Sequence, residues 1–182
     1  MLREGKTIAG CPLEGYWCDM GDCGAYLDCV RAVLDGKAGL ELGLTRRGDH
    51  LWAAQPVPAG VTVEGPCWIG AGVKLGTGAV VGPYTVLSDG VEVGAQAVVR
   101  QSVLLEGASA GEQSSLQGAL LCQNAAVQKR GVLHQGAVLG ENALVEEDGE
   151  LLERVRLWPG QCAPAGCRLA HSVTGGCQKG TL

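Results

Sequence analysis

The chain has 182 residues, 30 glycines, no phenylalanine and a formal net charge of -5. Its 14 basic residues form no run, so it lacks the basic patch typical of nucleic-acid-binding proteins. Its first residues contain no apolar stretch like that of a signal peptide, and no apolar run is long enough to span a membrane. We therefore expect a cytoplasmic protein with no nucleic-acid partner and no membrane partner.

Residues 1–37 carry no repeat, and they contain one predicted helix from about Cys23 to Asp35. Asp22 is suited to be its N-cap, and Gly36 is suited to be the C′ residue that ends it. Helical spacing predicts one apolar face, made of Tyr26, Leu27, Val30, Val33 and Leu34. Residues 38–56 are then predicted to be a linker, and residues 176–182 a short tail.

Residues 57–175 follow a period of six. Every sixth residue from Val57 to Leu105 is aliphatic, and so is every sixth residue from Leu121 to Leu157. Between these runs, Ala110 and Leu116 keep the pattern if two sides of the repeat have five residues. A period of six fits neither an α-helix nor an ordinary half-buried strand. It predicts a mainly β fold, a prism of about six coils with three short strands in each coil.

Two further positions of the repeat are regular. The residue four places after each aliphatic is mostly small, so one large and one small side chain are expected to alternate in the interior. Glycine often follows the aliphatic residue, as at Gly76 and Gly94. There we expect a tight corner that demands a backbone conformation costly for other residues.

One outer face of the predicted prism is apolar along its length. Outward residues one coil apart stack on one another, and on this face they are Trp68, Val86, Leu104, Leu120 and Val138. An exposed apolar stripe of this length usually marks a docking surface. The alternative explanation is that β-branched residues simply suit strands. We predict that the stripe is an interface.

Nine cysteines are spread along the chain without a CxxC pair. The pairs Cys18 with Cys23 and Cys162 with Cys167 lack the second pair and the histidine of a zinc site. We interpret the cysteines as reduced thiols without a chemical role.

The segment GYWCDMGDCGAYLDCVRAVLDG, at residues 15–36, resembles the end of the catalytic domain of sugar nucleotidyltransferases. There a Trp-x-Asp-x-Gly element precedes a helix with Tyr-Leu. The repeats that follow, among them EGPCWIGAGVKLGTGAVVGPYTVL and VRLWPGQ, resemble the β-helix of mannose-1-phosphate guanylyltransferase-like proteins. The resemblance implies a left-handed parallel β-helix after a short α-helical remnant, residues 1–37, of an α/β catalytic domain. It also implies a structural, oligomerisation or regulatory role in nucleotide-sugar biosynthesis, such as that of GDP-mannose.

In this family a magnesium ion held by two carboxylates bridges the nucleotide and sugar phosphates. Asp19 matches one of these carboxylates, and the alternative is that Asp19 bonds the turn at Gly21. The nucleotide loop, the second carboxylate and the lysine for the sugar phosphate have no match in this chain. The resemblance thus implies no catalytic residue here, no activity of the chain alone, and magnesium only in the complete enzyme.

Two other functions fit the same repeat. One is a hexapeptide acyltransferase that acts as a trimer on an acyl-CoA donor, with His134 or His171 as the candidate general base. The other is a structural module that self-associates and needs no chemistry. In the main interpretation, the partner is the missing nucleotidyltransferase catalytic domain or a second copy that binds through the β-helix.

Overall fold

The computed structural model describes residues 9–48 and 50–174. This part of the chain contains one α-helix, α1 (Cys23–Leu34), and three parallel sheets. The first sheet contains β1 (Leu51–Ala53), β3 (Cys67–Ile69), β6 (Thr85–Leu87), β9 (Val103–Leu104), β12 (Leu120–Leu121), β15 (Val138–Leu139) and β18 (Arg156–Leu157). The second sheet contains β2 (Thr62–Val63), β5 (Val80–Val81), β8 (Val98–Arg100), β11 (Ser115–Gln117), β14 (Val132–Leu133), β17 (Glu150–Leu151) and β20 (Arg168–Leu169). The third sheet contains β4 (Lys74–Leu75), β7 (Glu92–Val93), β10 (Ser109–Ala110), β13 (Ala126–Val127), β16 (Leu144–Val145) and β19 (Cys162–Ala163).

From β2 onward, strands pass to the three sheets in rotation, and each strand pairs in parallel with the strand one coil further on. The predicted left-handed parallel β-helix is therefore confirmed. Two sheets have seven strands and the third has six, so the prism has about seven coils rather than six.

The additional strand is β1, which pairs with β3 and places Ala53 opposite Ile69. The prism thus begins inside residues 38–56, and the predicted linker is wrong for Leu51–Ala53. The period missed this strand because Ala53 and Ile69 lie 16 residues apart instead of 18. The tail predicted over residues 176–182 lies outside the described residues.

The interior is built from stacked aliphatic and small side chains. Ala110 and Leu116 are 1% exposed, and both belong to the interior cluster, as predicted. Small residues such as Ala79 and Ala97 fill the alternate inward positions without measurable exposure. This pairing of large with small residues gives a narrow, fully packed prism without aromatic rings inside it.

The placement of Leu104 corrects the predicted outer stripe. Leu104 lies inside the prism, in register with Leu87 and Leu121, and is completely buried. Val103 takes the outward position instead, and Leu105, predicted to point inward, is partly exposed. The reason is the position of the first side of a coil that has five residues instead of six. In the structure this side ends at Leu104, whereas the register expected from the sequence has it begin at Leu105.

Corner glycines such as Gly94 have a different cause from the expected one. Gly94 does not have a positive φ, but a Cβ atom there would lie 2.5 Å from the backbone nitrogen of Glu112 in the next coil. Positive φ occurs elsewhere in the corners, and asparagine as well as glycine adopts it, as Gly90, Asn124 and Asn142 show. Gly94 is therefore needed for close approach between coils and not for backbone freedom.

Candidate functional site

Helix α1 is capped at both ends as the sequence predicts. Asp22 is the N-cap, and its carboxylate accepts a hydrogen bond of 2.8 Å from the backbone N–H of Ala25. At the other end Gly36 has a φ of 77°, and the N–H of Lys37 donates to the carbonyl of Ala32 over 2.9 Å. Together with the bond of 2.9 Å from the N–H of Gly36 to the carbonyl of Val33, this bond makes a Schellman motif. A helix of 12 residues is only marginally stable alone, so its stability depends on what it packs against.

The helix packs on the outer face of the first sheet. We define the outer stripe as the outward residues of this face in the structure: Trp68, Val86, Val103, Leu120 and Val138. Leu34 of α1 lines one cavity with Trp68 and Val86, and Tyr26 lines another with Leu120 and Val138. The centre of the stripe, Val103, is 1% exposed although it does not belong to the interior cluster.

The helix and the outer stripe have matching lengths. The 12 residues of α1 extend about 18 Å, and the four steps between the five stripe residues extend about 19 Å. Arg31 adds a polar contact, donating to the side-chain oxygen of Gln101 over 3.1 Å. The outer stripe therefore binds a helix of the same chain, and Val103 has no free surface for a second partner.

Beside α1 lies a second apolar surface, which has no cover among the described residues. The docking segment, as we call it, consists of Leu13, Tyr16, Trp17 and Met20. Leu13 is 83% exposed and Trp17 is 77% exposed. Met20 also lines an apolar cavity of about 210 Å³ between α1 and the outer stripe. Large exposed apolar groups next to an apolar cavity are typical of an interaction site. From the sequence, only the resemblance to the end of a catalytic domain pointed to this surface.

Asp19, the predicted magnesium ligand, lies next to Met20 in this segment and is exposed. Within residues 9–48 and 50–174 no group of three or more His, Cys, Asp or Glu side chains is arranged to hold a metal ion. A carboxylate by itself does not make a magnesium site, because the one or two carboxylates that usually bind Mg²⁺ do so only together with substrate phosphates. The described residues alone therefore do not complete a site for the ion.

His134, the candidate base of the acyltransferase alternative, belongs to a surface network. Its Nε2 lies 2.7 Å from one oxygen of Glu150, and the other oxygen of Glu150 accepts from Arg168 over 2.9 Å. The bond to His134, together with Arg168, lowers the pKa of the Glu150 carboxyl. His171 is exposed. Neither histidine lines a cavity beside α1.

Among the described residues no helix has the length and apolar character needed to cross a membrane.

Comparisons with known proteins agree on one family. A family model described as the GMPPB C-terminal domain matches residues 63–159. A glucose-1-phosphate adenylyltransferase of Bacillus cytotoxicus is 26% identical over 152 residues, 84% of this chain and 35% of that protein. A glucose-1-phosphate thymidylyltransferase of Streptomyces griseus is 28% identical over 132 residues, 70% of this chain and 37% of that protein. The chain thus spans little more than a third of the curated relatives it matches.

Among solved structures, a mutant perosamine N-acetyltransferase from Caulobacter crescentus in complex with CoA and GDP-perosamine is 16% identical, with a TM-score of 0.40. The match covers 82% of this chain and 60% of that one. The acetyltransferase domain of PglB from Neisseria gonorrhoeae is also 16% identical, with a TM-score of 0.33, and the match covers 81% of this chain and 60% of that one.

Proposed function

The chain belongs to the family of the GMPPB C-terminal domain, and from this we propose that it serves as the C-terminal β-helix portion of a sugar-1-phosphate nucleotidyltransferase. Its role in such an enzyme is structural, oligomerising or regulatory. The chain alone is inactive, because the residues that bind the nucleotide and the sugar phosphate belong to the catalytic domain. We place this function in the cytoplasm.

The observation that carries the proposal is the exposed docking segment. Its partner in our proposal is a nucleotidyltransferase catalytic domain with an apolar contact surface. Trp17 and Met20 lie in the very segment that resembles the end of such a domain, so their natural neighbours are the rest of that domain. Covering a Trp side chain of this exposure contributes about 2 kcal/mol or more to binding when the residue is central to the interface.

In the complete enzyme, magnesium would neutralise the phosphates of the two substrates. Asp19 is our candidate for one of its ligands, and the others must come from the catalytic domain, because no group of three or more His, Cys, Asp or Glu side chains in the described part of the chain is arranged to hold a metal ion. The acyltransferase alternative is less well supported, since His134 is engaged by Glu150 on the surface.

The proposal is tested by adding the chain to a mannose-1-phosphate guanylyltransferase catalytic domain that lacks its own β-helix. We expect binding in calorimetry and no turnover of a nucleoside triphosphate with mannose 1-phosphate by the chain alone. Trp17→Ala should weaken binding about 30-fold, the equivalent of about 2 kcal/mol. Trp158→Ala is the matched control, because Trp158 is 55% exposed but lies outside the docking segment. Turnover by the chain alone, or equal affinity of the two variants, would contradict the proposal.

A further inference from the structure

Cys18, in the docking segment, lies against the turn of helix α1 that carries Cys29. The Sγ atom of Cys18 lies 3.9 Å from the backbone oxygen of Ala25. That oxygen accepts the helical hydrogen bond from the N–H of Cys29, one turn further along α1. Cys18 therefore lies over the turn that carries Cys29. Burial raises the pKa of the Cys29 thiol, and the Cys18 thiol beside it raises that pKa further, which agrees with this placement.

The other cysteines of this region are less suitably placed. Burial raises the pKa of the Cys23 thiol, and Cys122 acts on that pKa only through its charge. Cys11 is exposed at the start of the described chain and donates to the neighbouring carbonyl of Pro12. Among the described residues, Cys18 and Cys29 are thus the pair that the geometry favours.

We propose that Cys18 and Cys29 form a reversible disulfide that fastens the docking segment to helix α1. The oxidant is a small disulfide such as oxidised glutathione. The thiolate of Cys18 attacks one of its sulfurs, and one molecule of reduced glutathione leaves. The thiolate of Cys29 then attacks the Cys18 sulfur of the mixed disulfide and releases the second molecule. Two protein thiols are oxidised to a disulfide, and one small disulfide is reduced to two thiols, which take up the two protons that the protein thiols lose.

The order of the two attacks follows from the surroundings. Desolvation on α1 raises the pKa of the Cys29 thiol, which makes it a poor first nucleophile. Cys29 is therefore the thiol that resolves the mixed disulfide. The sequence-based interpretation of the cysteines as thiols without a chemical role does not hold for this pair if the disulfide forms.

The cross-link would act directly on the docking segment. Cys18 is the immediate neighbour of Trp17, and Cys29 lines the cavity that Met20 also lines. Closing the loop between Cys18 and Cys29 removes conformations in which the segment leaves the helix. Oxidation therefore presents Trp17 in one arrangement, which lowers the entropic cost of binding a partner. This consequence rests on the proposed function, whereas the disulfide itself does not.

The pairing is measured on the full chain by incubation with oxidised glutathione, alkylation of the remaining thiols and digestion with endoproteinase Asp-N. Cleavage before Asp19, Asp22 and Asp28 puts Cys18, Cys23 and Cys29 on three separate peptides. We expect a Cys18–Cys29 cross-linked peptide that disappears after reduction. A chain that acquires glutathione on Cys18 without this cross-link, or that joins Cys18 to Cys23 instead, would overturn the proposal.

Two variants make the result specific. Cys23→Ser should leave the Cys18–Cys29 cross-link unchanged. Cys29→Ser should abolish it and leave a stable mixed disulfide on Cys18, with an unchanged circular dichroism spectrum. A Cys29→Ser chain that still cross-links Cys18 to another cysteine in comparable yield refutes the assigned pair.

The docking consequence has its own readout. The oxidised chain should bind the catalytic domain about tenfold more tightly or better than the reduced chain, and Cys29→Ser should remove the difference. A cross-link without this gain would refute only the effect on docking. Binding of the catalytic domain without any cross-link would refute the disulfide and leave the proposed function standing.

Discussion

Replacing Val103 with aspartate should release helix α1 from the prism without unfolding the prism itself. Val103 is 1% exposed although it is not part of the interior cluster, and α1 lines cavities with the stripe residues on either side of it, so we attribute its burial to α1. The substitution removes burial worth about 1.5 to 3 kcal/mol and adds the cost of desolvating a carboxylate, which is several kcal/mol. The most deeply buried anchors of α1, Leu27 and Leu34, contribute about 3 to 6 kcal/mol together before chain entropy. The free energy lost through Val103→Asp is as large as the free energy that Leu27 and Leu34 contribute to holding the helix, so the helix should detach.

Hydrogen exchange followed by mass spectrometry gives the measurement. In Val103→Asp, the amides of residues 23–34 should exchange rapidly, while those of the prism strands stay protected, and the far-ultraviolet signal of the helix should fall. Val98→Asp is the matched control, because Val98 is an outward valine of the second sheet, which α1 does not cover. If α1 keeps its protection in Val103→Asp, or loses it equally in Val98→Asp, the assigned packing of the helix is wrong.

Three further predictions concern the prism. Gly94→Ala should lower the unfolding free energy in urea by about 1 to 3 kcal/mol, because backbone of the next coil blocks the new Cβ. Gly90→Asn should cost less than about 1 kcal/mol, since Asn tolerates positive φ, and equal losses would refute the steric argument. Arg130 lowers the pKa of the Asp148 carboxyl, so the stability this pair adds is present above the carboxyl's ordinary pKa and lost as the pH falls through the lowered one. Asp148→Asn should therefore flatten the acid side of the stability curve slightly, and a curve as steep as that of the unsubstituted chain would contradict this. Burial raises the pKa of Cys67 to about 11, so iodoacetamide at pH 8 should modify Cys67 only after unfolding, and labelling of the native chain would contradict its burial.

The period of six was sufficient to predict the prism but not its register at one corner. Around residue 104 three aliphatic residues follow one another, Val103, Leu104 and Leu105, and each of them fits an inward position by hydrophobicity. The choice depends on which side of the coil has five residues, and that is decided by hydrogen bonds to the coils before and after it. A pattern of hydrophobicity contains no information about those bonds. The error placed Leu104 outside and left Val103 out of the outer stripe.

The candidate site was predicted only in parts. The ends of α1 could be placed because Asp22 and Gly36 act locally, through bonds to residues three or four positions away. The outer stripe was found through its spacing, apart from Val103. That the two surfaces bind each other could not be predicted, because residues far apart in the chain form this contact and neither pattern specifies its partner.

The position of α1 changes how self-association must be considered. The helix covers the apolar face that the sequence offers as an interface, so a second copy cannot use that face while α1 is docked. The third sheet presents a polar pair at one end, with Lys74 and Glu92 joined over 2.6 Å. The second sheet instead presents outward valines, among them Val80 and Val98. A dimer or trimer built on the β-helix should therefore use the second sheet in preference to the first, and Val98→Asp should weaken assembly while α1 keeps its protection.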